Sequence, residues 1–250
     1  MLRTITSTQN TYIKKLKTLK TKKGRTATNL FIADGEKCTS EAIEYGYADS
    51  VLSTDESHPI VQKALSACLD VYIVSEAVMN CVSEAKTPQS TLAVAKKISA
   101  PSIEYGNKLY VALEDVSDPQ NIGTIIRTAD AAGASAVILS ESCADYTSAK
   151  AVRAAMGSVF HIPIIVADDF ISQLTAFKQN GTALIAGHLK GQNSLPRPTS
   201  SCILIGNESR GLSDEVSKIA DVLYKINIFG KAESLNAAVA AGIMIYKIID

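Results

Sequence analysis

The chain of 250 residues carries 25 Lys or Arg against 25 Asp or Glu, 46% hydrophobic residues and five cysteines. That composition describes a globular protein with material for one large or two small domains, and it excludes a membrane span, since no apolar run is long enough. The cysteines are odd in number and hold no C-x-x-C pair, which argues against a disulfide framework or a zinc site and reads them as buried small hydrophobes.

The zero net charge conceals an asymmetry. Met1 to Ala33 holds eight basic residues (Arg3, Lys14, Lys15, Lys17, Lys20, Lys22, Lys23, Arg25) and no acidic one. A basic arm of this kind points to a polyanionic partner, with a solvated helix face as the plainer reading. MLRTITSTQNTYIKK lacks the apolar core of a signal peptide, so the expected location is the cytoplasm. Ile13, Leu16 and Leu19 recur every third residue and predict a helix with one apolar stripe, after which Lys22 to Asn29 reads as a loop.

Further along, Leu30 to Ala33 reads as a strand and Lys37 to Tyr45 as a helix closed by Gly46. Val51-Leu52 and Val71 to Val74 read as short strands separated by a helix beginning at Pro59. A helix opens at Ser75-Glu76, Thr87-Pro88-Gln89 breaks it, and Leu92 to Ala95 is a last apolar run. Together these make a small α/β domain over residues 1–97, followed by a linker at 98–107 containing Pro101 and Gly106.

From residue 108 to 250 the strand-like runs Leu109 to Leu113, Ala136 to Ser140, Ile162 to Val166, Ala183 to Gly187, Cys202 to Ile205 and Val222 to Ile228 alternate with helical patterns. Such alternation predicts a parallel sheet covered on both faces. Three of the runs end in polar, glycine-containing elbows: DPQNIGTIIRTADAAGA, ILIGNESRGLS and INIFGKAESLNAAVAAGI. Ser234 stands where the N-cap of the last helix is expected.

Those three segments, in that order, resemble the motifs of the SpoU (TrmH) family of RNA ribose 2′-O-methyltransferases, within the SPOUT superfamily. FIADGEKCTSEAI and TPQSTLAVA in the first hundred residues are similar to a substrate-binding domain with the ribosomal protein L30e fold. The resemblance implies a catalytic domain with a deep trefoil knot, S-adenosylmethionine as cofactor, a homodimer, and RNA as substrate, with 23S rRNA favoured over tRNA. It assigns Gly187, Ile205, Gly206, Ile226 and Leu235 to the cofactor. Asn121, Arg127, Glu208, Ser234 and Asn236 it assigns to catalysis, with no metal.

The residue types suit that chemistry, since the sulfonium donor is already activated and the protein has to align the reactants and assist loss of the hydroxyl proton. Glycines past strand ends let the backbone approach a flat polar ligand, although they serve equally as turn punctuation. Arg127 follows Asn121 by six residues, close enough for both to be presented to one site. A guanidinium is a poor proton acceptor, so Arg127 reads as a phosphate grip that steadies a developing alkoxide, with the base unassigned. Glu208 reads either as an orienter of Arg127 or the loop, or as a structural carboxylate receiving backbone N–H groups.

In the substrate-binding domain Asp34 stands where glutamate is usual and Ser90 where glycine is usual, and in the catalytic domain two further positions depart from the family pattern. Asn227 stands where proline is usual and Ala155 where serine is frequent, which bears on cofactor affinity and on a polar contact rather than on reaction type. GNESRGLS is a near miss to a phosphate-binding loop, but Leu212 occupies the place of the required lysine. The rival outside enzymology is an RNA-binding protein that kept the fold and lost activity. The histidines His58, His161 and His188 lack ligand spacing and read as structural.

Overall fold

The computed structural model describes residues 1–97 and 103–250, so the expected linker lies in part outside the described residues. The chain forms two compact units, one of Met1–Ser99 with Asp145–His161 and one of Ala100–Ala144 with Ile162–Asp250.

The first unit is a five-stranded sheet in the order β1-β4-β3-β5-β2. Its strands are β1 (Leu2–Ile5), β2 (Leu30–Asp34), β3 (Ala48–Ser53), β4 (Asp70–Val74) and β5 (Thr91–Lys96). The β1-β4-β3 strands are parallel, whereas β5 runs antiparallel to both β3 and β2. Helices α1 (Thr11–Thr18), α2 (Lys22–Thr28), α3 (Glu36–Glu44), α4 (Pro59–Ser66) and α5 (Glu76–Val82) complete the early part of the chain. The predicted stripe is real: Ile13, Leu16 and Leu19 are buried against Val78, Met79 and Val82 of α5 and the sheet.

Two elements depart from expectation. The stretch that reads as a loop is α2, capped by Thr21, whose hydroxyl accepts Gly24 N–H at 3.1 Å. Its glycine and β-branched threonines disfavour helix locally, and tertiary contacts hold it instead. Arg25, which reads as part of the basic arm, is buried, donates to Leu19 O at 2.8 Å and pairs with Asp145 at 2.8 Å. β1 is too short and polar to stand out as a strand in the sequence, and it forms by pairing with β4. The later segment of this unit holds α7 (Ala149–Ala155), which packs on β2, and Phe160, whose ring stacks on Phe31 at 5.9 Å. His161 Nε2 donates to the Glu41 carboxylate at 2.9 Å, and His58 caps α4, so both histidines are structural as expected. Cys38, Cys143 and Cys202 are buried, but Cys68 is exposed.

The second unit is a six-stranded sheet in which every neighbouring pair is parallel, in the order β11-β9-β10-β6-β7-β8. It comprises β6 (Leu109–Leu113), α6 (Pro119–Ala131), β7 (Ala136–Ser140), β8 (Ile164–Ala167), α8 (Phe170–Gln179), β9 (Ala183–Gln192), β10 (Ser201–Ile205), α9 (Asp214–Ile219), β11 (Val222–Tyr224) and α10 (Ala237–Ile249). The all-parallel sheet agrees with the reading of alternating strands and helices, and the strands read as apolar runs because both faces are covered. From β6 the chain builds outward through β7 and β8, whereas the later strands lie on the other side of β6 next to β10. The order therefore reverses between β6 and β10, and in open parallel sheets the crevice at the carboxyl ends beside such a reversal is where ligands bind. β11 ends at Tyr224, short of the expected Ile228, because the chain leaves the sheet there; β9 in turn runs on to Gln192, whose carbonyl accepts Lys225 N–H at 2.9 Å. Among the described residues no helix is long and apolar enough to cross a membrane.

Candidate active site

β10 delivers its chain into a closed loop. Asn207 N–H donates to Gly211 O at 3.0 Å and Gly211 N–H returns to Asn207 O at 2.9 Å. The loop backbone folds so tightly over Gly206 that a Cβ there would lie 2.2 Å from the Gly211 carbonyl carbon, which no larger residue could tolerate. The Asn207 amide then locks the loop to the end of β6, accepting Ser209 N–H at 3.0 Å and Arg210 N–H at 3.1 Å while donating to Asp115 O at 2.8 Å.

This rigid loop holds Glu208 against the start of α6. One carboxylate oxygen accepts the N–H and the hydroxyl of Ser117 at 3.1 and 2.9 Å, and the other accepts Asp118 N–H at 3.2 Å and the Asn121 amide at 2.8 Å. Burial works to raise the Glu208 pKa, but the Asn121 amide and the Ser117 donors outweigh it and hold the carboxyl down at about 2. Glu208 is thus an anion at every physiological pH and far too weak a base to take a hydroxyl proton. The carboxylate receives the Ser117 and Asp118 N–H groups at the start of α6, and none of its bonds goes to Arg127.

The hydrogen bonds run on from there with a fixed polarity. A carboxylate only accepts, so Asn121 must turn its Nδ2 to Glu208 and its Oδ1 away. That Oδ1 accepts Asn236 Nδ2 at 3.0 Å. Asn236 in turn uses its own Oδ1 to accept Ala238 N–H at 2.9 Å and Val239 N–H at 3.3 Å, and so is the N-cap of α10. The cap expected at Ser234 falls two residues later because the helix start is pinned to Asn121. One residue from each elbow thereby enters a single Glu208–Asn121–Asn236 chain.

Beside this chain opens a cleft of about 510 Å³. Gly187, Ile205, Gly206, Ile226 and Leu235, the five positions expected to meet the cofactor, all line it, together with Glu208 and Ser234. Ile228 and Met244 also line it. Its apolar walls and polar loop ends fit a flat nucleoside with a charged tail, and its volume lies within the ordinary range of small-molecule sites. Arg127 is placed elsewhere. Six residues beyond Asn121 on α6, it sits about 120° away around the helix and about 9 Å along the axis. It is exposed, absent from the cleft lining, and without a hydrogen bond or ion pair among the described residues. Ser117, which sequence reasoning passes over, contributes two of the four bonds to Glu208. Nothing in the sequence could single it out, since its partner is 91 residues away.

Glu208 sets an acid-stability prediction. Its folded pKa lies below the ordinary 4.5, so its contribution to stability is complete above that pH and is lost as pH falls towards about 2. Glu208→Gln is expected to lower the melting temperature at neutral pH and to converge on wild type near pH 2, as read from thermal melts across that range.

Among the described residues no group of three or more His, Cys, Asp or Glu could hold a metal ion. Residues 108–246 match the SpoU rRNA Methylase family and residues 10–93 an MRM3-like substrate binding domain. The 23S rRNA (guanosine(2553)-2′-O)-methyltransferase RlmP of Bacillus subtilis is 37% identical, with 98% of each chain covered. An AdoMet-bound rRNA methyltransferase from Sinorhizobium meliloti superposes with a TM-score of 0.89 at 34% identity, covering 99% of this chain and 97% of that one. The SpoU methyltransferase AviRb of Streptomyces viridochromogenes, also with AdoMet, gives 0.87 at 26% identity over 96% and 97%. With more than half its length matched by the family model and a full-length relative above 30% identity, the chain belongs to the SpoU rRNA methylase family.

Proposed function

We propose that this protein transfers a methyl group from S-adenosylmethionine to a ribose 2′-hydroxyl of large-subunit ribosomal RNA, as a homodimer in the cytoplasm. The observation that carries the proposal is the Glu208–Asn121–Asn236 chain set beside a cleft lined by all five expected cofactor positions. Full-length similarity to a 23S rRNA methyltransferase supports that RNA over tRNA.

When bound, S-adenosylmethionine supplies a methyl group on an activated sulfonium. Ile205, Ile226 and Leu235 would hold its apolar portion and the backbone at Gly187 and Gly206 its polar edges. Glu208 fixes the start of α6, and through Asn121 it fixes Asn236 and with it the first turn of α10. Ser234 is exposed on the cleft wall and is available to the incoming ribose. Arg127 would grip phosphate and steady the alkoxide, its fixed charge suiting it to that role and not to proton removal.

Since one chain leaves Arg127 outside its own cleft, we place it at the cleft of a second copy. α10 packs against α6, which carries Arg127, and exposes Val239, Tyr246 and Ile249. Phe229, in the elbow before α10, is 96% exposed, a costly arrangement for a phenyl ring without a partner. An isologous contact through α10 would cover this apolar surface and bring two active sites to one interface.

The test is to map 2′-O-methyl groups in the rRNA and tRNA of a deletion strain, with calorimetric titration of the purified protein by S-adenosylmethionine. Loss of one rRNA methyl group, restored by the gene, is the expected result. A lost tRNA methyl would reassign the substrate, and no heat of cofactor binding would leave a fold that binds RNA without modifying it.

A further inference from the structure

The GHLKG segment of β9 supplies none of the bonds of the Glu208–Asn121–Asn236 chain, yet it lines the cleft through Gly187, His188, Leu189 and Lys190. β9 pairs with β11 at Ile185–Val222 and Ala186–Leu223, and the ladder resumes only at Gln192–Tyr224. Residues 187–191 therefore have no counterpart on β11 and are extruded from the ladder as a bulge, a device that re-aims side chains beside active sites. Its two ends are held fast. A Cβ on Gly187 would lie 2.9 Å from Met244 Sδ, and one on Gly191 would lie 2.5 Å from Leu223 O, so neither position has room for a side chain.

His188 and Lys190 are carried on this bulge. Lys190 N–H donates to His188 Nδ1 at 3.1 Å. A backbone N–H can only donate, so Nδ1 is the bare nitrogen and the neutral imidazole keeps its proton on Nε2. His188 thus presents a hydrogen-bond donor, and in this tautomer its Nε2 cannot take up a proton. The expectation of a purely structural histidine covers its Nδ1 alone. His188 is half-buried at the cleft, Lys190 beside it is exposed and adds a positive charge, and Gly187 to Gln192 holds no acidic residue.

The other side of β10 has the reverse character. There Glu208 leans towards the start of α6 and β6, whereas β9 flanks β10 on its opposite edge. An anion and a donor-bearing cationic segment thereby border one cleft from opposite sides. S-adenosylmethionine carries two cationic groups, the sulfonium and the ammonium, and a single anion, its carboxylate. Charge complementarity matches that anion to the bulge.

Resting on the S-adenosylmethionine-dependent reading, we infer that His188 is a specificity-determining residue whose Nε2–H donates to the carboxylate of the cofactor's methionine tail, with the Lys190 ammonium completing the charge. The experiment is calorimetric titration of the full-length protein with four ligands. S-adenosylmethionine and S-adenosylhomocysteine keep the carboxylate, and decarboxylated S-adenosylmethionine and 5′-methylthioadenosine lack it. His188→Ala should bind the first two about tenfold more weakly, the scale for losing a hydrogen bond to a charged group, and the last two within about twofold of wild type. His188→Gln, which keeps a terminal N–H donor, should recover much of that loss. Lys190→Gln should cost a smaller factor on the same two ligands, and its effect should fade at 1 M salt, where an exposed charge is screened. Lys218→Gln, on α9 outside the cleft lining, should leave all four affinities unchanged.

Wild-type affinity for S-adenosylmethionine in His188→Ala would overturn the inference. So would an equal loss on the ligands without a carboxylate, which would place the contact on the nucleoside or mark collapse of the bulge. His188→Gln no better than His188→Ala would replace the hydrogen bond by packing of the ring. A wild-type protein that bound none of the four would end the enzymatic reading and this inference together, whereas binding with the wrong ligand pattern ends the inference alone.

Discussion

Arg127→Ala is expected to lower turnover by about 100-fold or more, the scale for losing a group that stabilises developing charge, while S-adenosylmethionine still binds with near wild-type affinity. The separation follows from position. Arg127 lies on the exposed side of α6, and the residues around the cleft come from the ends of β9 and β10 and from the stretch before α10. Nothing in the cleft wall depends on the guanidinium. Arg127→Lys divides the two ways it could act: retained partial activity indicates electrostatic steadying by a point charge, and none indicates a bidentate grip that an ammonium cannot reproduce. Single-turnover methylation with calorimetry on the same samples reads both quantities, and wild-type turnover in Arg127→Ala would remove the residue from the site.

Leu235→Asp is expected to do the converse. Leu235 is half-buried at the cleft wall, immediately before the Asn236 cap. A carboxylate at that position would have to be desolvated against any nucleoside entering the cleft, costing about 100-fold or more in cofactor affinity. The cap itself survives, because Asn236 keeps both Asn121 and its helix N–H groups, so the fold should be retained. The two dead variants then test the dimer together. If Arg127 serves the neighbouring cleft, mixing and re-annealing Arg127→Ala with Leu235→Asp yields heterodimers with one intact site, and about a quarter of wild-type activity should return. No recovery, with heterodimer formation verified by mass, would place Arg127 at its own cleft or outside catalysis.

The parts of this molecule legible in its sequence are those set by local pattern. Leu109–Leu113 and Ala136–Ser140 are uninterrupted apolar runs because the parallel sheet buries both their faces, and they fall at the expected bounds. Asn121, Glu208 and Asn236 are recognisable through their motifs. Their connection is not, because the bonds joining them span 87 and 115 residues and depend on where β6 and β10 come to lie side by side. The same limit explains the misplaced cap. Ser234 and Asn236 are both good N-caps by type, and only a contact with a distant helix decides between them. α2 is illegible for the opposite reason: its local propensity is poor, and what makes it a helix is Gly24 against α1 and a buried arginine whose partner lies 120 residues away.

That buried arginine also bears on how the protein could be taken apart or recombined. Asp145–His161 belongs physically with the first unit although it is encoded between two strands of the second sheet. A protease site introduced between Lys97 and Ile103 would therefore cut the polypeptide without releasing the N-terminal fragment, which would remain clasped through Arg25–Asp145 and the packing of α7 on β2 until denatured. Deleting residues 1–97 would go further and strip Val152, Val159 and Phe160 of the surface that buries them. A chimera that exchanges substrate-binding modules between relatives has its natural seams at three places in the gene, not one, with 145–161 travelling alongside the N-terminal cassette.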